Sequence, residues 1–185
     1  MTPENVLAVH KRASCLFTSE QIAVALDHMA QAITADLRNS NPVVLSVMNG
    51  AVITVAQLAL RLDFPMQLDY LHATRYGNST SGAELTWLRE PDTDLQGRNV
   101  LIVDDILDQG ATLASIVEYC RQQGASAVYS AVLIAKLHDR KLNAINADYV
   151  GLQAEDFYLY GYGMDYKGYL RNVDGIYAVD ASDAS

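Results

Sequence analysis

No apolar run of about 18 residues occurs in this chain, so no transmembrane helix is expected. No signal-peptide core is present either, and a soluble, cytoplasmic protein is expected. Basic residues are scarce: 13 Lys and Arg stand against 22 Asp and Glu, giving a net charge of −9 and a pI near 4.7. The nearest approach to a basic cluster, 138–141, is short. A nucleic-acid face, which needs clustered cations to meet phosphates, is therefore not expected. The cysteines number two, Cys15 and Cys120, too few for a disulfide scaffold. Cys120 falls on the apolar side of a helical pattern and reads as a small core residue. The histidines (His10, His28, His72, His138) show no metal-ligand spacing, so no zinc site is expected; His138, two residues from Lys136, reads as a surface residue, with a place at the border of a site as the alternative. There is no internal repeat.

What is present suits one globular domain. The chain has 185 residues and half of them are apolar, enough to bury a sizeable core over 1–185. Two helices open the chain. Pro3 suits a first helical position, and Thr18 with Gln21 matches a capping box. Ile22, Leu26, Met29, Ile33 and Leu37 then repeat at spacings of three and four, one buried helical face. A buried strand is expected over Val43–Met48, stopped by Asn49-Gly50. A helix over 53–62 and a partly alternating strand over 66–73 follow. The stretch 74–96 is polar and long, the signature of a functional loop, and 83–88 within it reads as a hairpin strand pairing with the segment after it. A helix over 112–123 ends at Gly124, a C′ residue. Further strands are expected at 127–135, 149–151 and 158–159, and the tail 181–185 reads as disordered. Strands alternating with helices predict an α/β fold: a central, mostly parallel sheet flanked by helices.

The chemistry concentrates in 104–113, DDILDQGATL. It follows the apolar strand 100–103 (VLIV) and leads into the 112–123 helix, so it reads as a βα loop. Asp104, Asp105 and Asp108 crowd at a strand's carboxyl end, where their mutual repulsion calls for a cation or a ligand. Gly110 allows close main-chain approach, and a helix N-terminus can present N–H groups to a phosphate. The same glycine also fits a plain tight turn. Together the features suit a sugar carrying phosphates.

This stretch resembles the phosphoribosyl pyrophosphate signature of the type I phosphoribosyltransferases. Asn49-Gly50-Ala51, Tyr76-Gly77, Lys136, the segment GYGMD at 161–165 and Arg171 stand in the order and spacing of the hypoxanthine-guanine phosphoribosyltransferase family, and the agreement extends from about Val43 to Val179. The resemblance implies a small hood built from the N- and C-terminal segments and a flexible lid loop over roughly 74–96. It implies transfer of a phosphoribosyl group to a 6-oxopurine (hypoxanthine, guanine or both), with release of pyrophosphate and with Mg2+ as cofactor.

By the same resemblance, Asp104 and Asp105 hold the ribose hydroxyls and the metal, and Asp108 is the general base near purine N7. Helix capping is the competing role for Asp108. Gln109, Gly110, Ala111 and Thr112 cradle the 5′-phosphate. Asn49, Gly50, Tyr76 and Arg171 attend the rest of the phosphoribosyl pyrophosphate, Arg171 competing with a surface ion-pair role. Lys136 donates to O6 of the base, which would reject adenine's amino group, although a lysine after a strand is commonly a surface residue. Tyr158 stacks on the purine, with Phe157 and Tyr160 as competing registers. Leu159 offers its backbone to the base edge, and Asp165 binds metal and lies at the purine end. A cis peptide is implied at Met48–Asn49. Three departures stand out: Asp104 where the family has more often Glu, Asn49 where it has Lys or Arg, and Arg75 where it has Ser. A homodimer or homotetramer is implied. Two alternatives stay open: a preference for xanthine, and a nucleic-acid-binding sensor of phosphoribosyl pyrophosphate on the same fold.

Overall fold

Six strands form the main sheet, in the order β4-β3-β2-β5-β6-β7. The computed structural model describes residues 1–75, 85–138 and 145–184. The strands are β2 (Val43–Met48), β3 (Gln67–Arg75), β4 (Leu85–Arg89), β5 (Asn99–Leu107), β6 (Ala127–Leu137) and β7 (Tyr149–Glu155). All neighbours are parallel except β4, which runs antiparallel on the β3 edge. The central strands are continuous apolar runs because both faces are covered: Val43, Leu45, Val100–Val103 and Ala131–Ile134 are all buried.

Helix α2 (Ser19–Leu37) begins at the expected capping box, with the Thr18 hydroxyl accepting from Gln21 N and the Gln21 side chain accepting from Thr18 N. Its face of Ile22, Leu26, Met29, Ile33 and Leu37 is buried. It packs on α3 (Val52–Ala59) and on β6 and β7, whereas α4 (Ala111–Gln122) packs on β5 and β6. The β2-α3-β3 and β5-α4-β6 connections run in opposite directions across the sheet. Right-handed crossovers therefore place α3 and α4 on opposite faces. The carboxyl ends of β2 and β5 flank the point where the strand order reverses, the place where open α/β sheets bind ligands.

A second sheet, β1-β9-β8, joins β1 (Ser14–Phe17), β8 (Leu159–Tyr160) and β9 (Ile176–Ala178) in antiparallel fashion. Strands this short leave little periodic signal, and β1 and β9 were not expected from sequence. Helix α1 (Pro3–Arg12), with Pro at its start, contributes Val9 to a cluster with Tyr160, Tyr166 and Val179. Cys120 is buried in α4, and both cysteines are free.

Four expectations are corrected. The acidic stretch does not begin a loop at Asp104: pairing of Asp104, Ile106 and Leu107 with β6 carries β5 through Leu107. Lys136 does not follow its strand but lies in it, because pairing with β7 extends β6 to Leu137. Strand β4 pairs with the preceding strand β3, not the following segment, since 90–95 contains Pro91, Asp92 and Asp94, poor strand formers. The tail is ordered over the 3-10 turn Ala181–Asp183. There the Arg12 guanidinium donates twice to the Asp183 carboxylate at 2.8 Å, and Tyr166 Oη donates to the Asp183 carbonyl at 2.9 Å. Of the expected lid, 76–84 (including Tyr76) and the Arg75 side chain lie outside the described residues. Among the described residues, no helix is long and apolar enough to cross a membrane.

Candidate active site

Two clusters of charged side chains lie around the carboxyl ends of the main sheet's strands. The first gathers around the turn after β2, where the Met48–Asn49 peptide is cis. Gly50 faces Asp105 so closely that a Cβ on this glycine would collide with the Asp105 carboxylate. Gly163 lies equally close to the Gly50 carbonyl. Arg171 Nη1 donates to the Gly163 carbonyl at 2.7 Å, and Arg171 Nη2 pairs with Asp165 Oδ1 at 2.6 Å. Asp165 Oδ2 accepts from Gly168 N at 2.7 Å. Asn49, Gly50, Asp105, Asp165 and Arg171, assigned together from the sequence, are thus linked through backbone and side-chain contacts. The ion pair anticipated as a competing role for Arg171 exists, and it lies within this network.

Asp104 is 9% exposed, and its Oδ1 accepts from Asp105 N at 2.9 Å. Burial and, behind it, the neighbouring Asp105 charge hold the Asp104 carboxyl well above the usual carboxylate range. Burial raises Asp105 too, opposed by hydrogen bonds and by the Arg171 charge. A group that binds its proton more tightly when folded loses stability as pH rises from the ordinary carboxylate value through the raised one. Replacing Asp104 with Asn is therefore expected to stabilise the ligand-free protein near neutral pH, by about 0.5–2 kcal/mol. For a chain of this size that corresponds to a Tm gain of roughly 1–8 °C, shrinking toward about pH 4. Calorimetry at both pH values checks it, and a lower Tm for the variant at neutral pH contradicts it.

The second cluster joins the ends of β5, β6 and β7. Lys136, its side chain only 9% exposed, places Nζ 3.1 Å from Asp108 Oδ2 and 3.2 Å from Asp156 Oδ1. His138 Nε2 lies 2.7 Å from Asp108 Oδ1, and the His138 side chain is 6% exposed. The surface roles considered for Lys136 and His138 are corrected: both are held inward against carboxylates. Asp156, directly after β7, was not picked out from sequence. Residues two apart in a strand point to the same side, so Lys136 and His138 carried a signal that a longer β6 would have exposed. Asp108, His138 and Asp156 bring ligand-type atoms within 4.8 Å of one another. The Lys136 ammonium, bonded to both carboxylates, opposes a second cation there.

Between the clusters, α4 starts at Ala111 with Gly110 as its N-cap in the left-handed region (φ +80°) and no side-chain cap. Asp108 is thus not the cap, which corrects the competing role considered for it. The main chain over 108–112, with Gln109 exposed and Thr112 half-buried, faces this end without a capping side chain. Tyr158 is 36% exposed, and its hydroxyl accepts from Lys167 N at 3.3 Å. Tyr160 is fully buried and Phe157 is exposed, so Tyr160 is the core residue of the three. Leu159 is buried and its backbone pairs with Ala178 in the second sheet.

A mostly parallel sheet with acids at the carboxyl end of β5, a glycine-opened helix start and a buried lysine at the end of the neighbouring strand make an arrangement suited to a phosphorylated ligand. The phosphoribosyl transferase domain matches residues 13–167, and the chain belongs to this phosphoribosyltransferase family. Within that family its relatives include proteins named hypoxanthine-guanine phosphoribosyltransferase. The Bacillus subtilis (strain 168) protein of that name is 32% identical over 165 residues, covering 89% of this chain and 91% of the relative. A Streptococcus thermophilus relative with the same name is 33% identical over 159 residues, covering 85% and 88%. The crystal structure of a Staphylococcus aureus hypoxanthine phosphoribosyltransferase superposes with a TM-score of 0.90 at 26% identity, over 96% of this chain and 97% of that one. A hypoxanthine-guanine-xanthine phosphoribosyltransferase superposes with a TM-score of 0.83 at 27% identity, over 90% and 96%.

Proposed function

We propose that this protein is a purine-salvage enzyme that moves the 5-phosphoribosyl group from phosphoribosyl pyrophosphate to hypoxanthine, guanine or both, giving IMP or GMP and pyrophosphate. The observation that carries this reading is the Lys136 ammonium held between Asp108 and Asp156, with Asp108 directly after the strand that carries Asp104 and Asp105. It puts a donor for a 6-oxo group beside a carboxylate able to take a proton. In the reaction the base nitrogen N9 bonds to C1′ as the bond from C1′ to pyrophosphate oxygen breaks. The N7 proton passes to the Asp108 carboxylate, a general-base role. Charge developing on the sugar is matched by the acids beneath it.

Asp104 and Asp105 receive the ribose hydroxyls. The backbone over 108–112 and the Thr112 hydroxyl receive the 5′-phosphate, where an uncapped helix start favours an anion. Gly50, Asn49 and Arg171 receive pyrophosphate, Arg171 through its planar fork. Asn49 brings no charge, so Arg171 is the cation of that subsite among the described residues. Tyr158 is the half-exposed aromatic available for purine stacking, and Leu159 and Asp165 complete the purine end. Tyr76 belongs to the lid in this reading, and closure would keep water from the activated sugar.

The Asp104–Asp105 pair also fits Mg2+: two adjacent oxygen donors, each with its proton affinity raised by burial, are relieved by a hard cation. Asp165 could join them only by loosening its pairing with Arg171. Bound there, magnesium supplies charge neutralisation for the leaving pyrophosphate. We further infer one catalytic domain over 1–185 with the second sheet as its hood, a cytoplasmic location and a homodimeric or homotetrameric assembly.

The test is product analysis after mixing the protein with magnesium, phosphoribosyl pyrophosphate and, separately, hypoxanthine, guanine, xanthine, adenine or uracil. IMP or GMP with stoichiometric pyrophosphate is expected. XMP alone would establish the xanthine preference instead, and no nucleotide from any base would overturn the reading. Lys136→Ala should reduce the preference for hypoxanthine over adenine in kcat/KM by about 10-fold or more, since a buried donor placed for O6 is lost. Unchanged selectivity would remove Lys136 from base recognition.

A further inference from the structure

We propose that His138 is a positioning residue for Asp108, an inference that rests on the general-base reading of that carboxylate. Three features carry it: the 2.7 Å separation of His138 Nε2 from Asp108 Oδ1, the 3.1 Å separation of Lys136 Nζ from Asp108 Oδ2, and the burial of both partners. An ionised carboxylate only accepts hydrogen bonds, so His138 Nε2 carries the proton in this pair. The two donors come from one stretch, Lys136 near the end of β6 and His138 directly after it, and grip opposite oxygens of the same carboxylate.

The consequence is geometric. Asp108 is 40% exposed while its partners are 9% and 6% exposed. A carboxylate held by Lys136 alone would keep rotational freedom about its side-chain torsions and could turn toward water. A second donor on the other oxygen fixes the carboxylate plane. Held in that plane, the carboxylate keeps the orientation in which it takes the N7 proton. When N9 bonds to C1′, the bond from C1′ to pyrophosphate oxygen breaks and the N7 proton moves to Asp108, while His138 keeps the proton it donates. It orients the base without transferring anything. Misplacing a catalytic group by about 1 Å can cost about 100-fold in rate, the scale on which such an anchor matters.

Lys136 needs a partner of its own to stay in place, and Asp156 provides it at 3.2 Å. His138, Asp108, Lys136 and Asp156 thus form one chain of alternating donors and acceptors across three strand ends. Within it, His138 bonds to the Asp108 oxygen that Lys136 does not hold, so its replacement acts on the orientation of Asp108.

The test is steady-state kinetics at saturating magnesium, with hypoxanthine and phosphoribosyl pyrophosphate each varied in turn while the other is held saturating. His138→Leu is expected to lower kcat about 10- to 100-fold while the KM for phosphoribosyl pyrophosphate stays within about twofold. His138→Gln, whose amide N–H reaches close to the position of Nε2, should recover kcat to within a few-fold of wild type. His138→Asn, with an amide too short to reach, should behave like the leucine variant and serves if that variant does not fold. In an Asp108→Asn background, His138→Gln and His138→Asn should have equal kcat. Equal losses for the glutamine and asparagine variants of the otherwise native enzyme, or a wild-type kcat for the leucine variant, would overturn the proposal. Wild-type kcat for Asp108→Asn would instead overturn the general-base reading beneath it.

Discussion

Replacing Asp108 with Asn is expected to lower kcat by about two to four orders of magnitude, the range that general-base catalysis contributes. Binding of phosphoribosyl pyrophosphate, measured by calorimetry, should change little. The substitution keeps size and shape and removes the ability to accept a proton. It also leaves the local network satisfiable. The amide oxygen can keep Lys136 Nζ, which lies 3.1 Å from Asp108 Oδ2, and the amide nitrogen can turn to His138 Nε2 once that ring adopts its other neutral tautomer. A collapse of the fold is therefore not the expected cause of lost activity, and an unchanged Tm within a few degrees checks this. If the variant turns over at the native rate, Asp108 is not the base.

Gly163→Ala is expected to destabilise the protein as well as inactivate it. Gly163 has φ +106°, in a region that L side chains rarely adopt, and a Cβ there would strike the Gly50 carbonyl, a backbone atom with no rotamer to change. A loss of about 2–4 kcal/mol follows, or a Tm lowered by roughly 4–16 °C. Gly50→Ala should separate the two effects. The three atoms nearest its Cβ would all belong to the Asp105 carboxylate, a side-chain end that can swing away. The expected outcome is a near-native Tm and a weakened affinity for the magnesium complex of phosphoribosyl pyrophosphate, by about 10-fold or more. Equal Tm losses for both variants, or native affinity in Gly50→Ala, would contradict the contact between this turn and the strand β5 acids.

Much of this site was legible in sequence because its parts are local. Asp104, Asp105, Asp108 and Gly110 occupy consecutive turns of one strand-to-helix passage, so residue type and spacing sufficed to read them. Val43–Met48 was legible as a strand because burial on both faces leaves an unbroken apolar run. What escaped was non-local. His138 and Asp156 reach Asp108 and Lys136 only because β5, β6 and β7 align their ends, with Leu107 opposite Ala135 and Lys136 opposite Ala154. The two-residue spacing from Lys136 pointed to the site's border, but with β6 read as ending at 135 a surface role for His138 outweighed it. The short strands β1 and β9 were missed for a related reason: three or four residues carry no period, and their pairing is decided by a partner more than 150 positions away. The tail was misread because its anchor, Arg12 on Asp183, joins the two ends of the chain.

The central claim is that the carboxyl ends of β2 and β5 form the seat of the activated sugar. A crystal structure of the protein with magnesium and phosphoribosyl pyrophosphate tests it most directly. The expected density puts the ribose hydroxyls over Asp104 and Asp105, the 5′-phosphate on the backbone of 108–112 and the pyrophosphate between Gly50 and Arg171. Density for the sugar at any other place on the chain would contradict it.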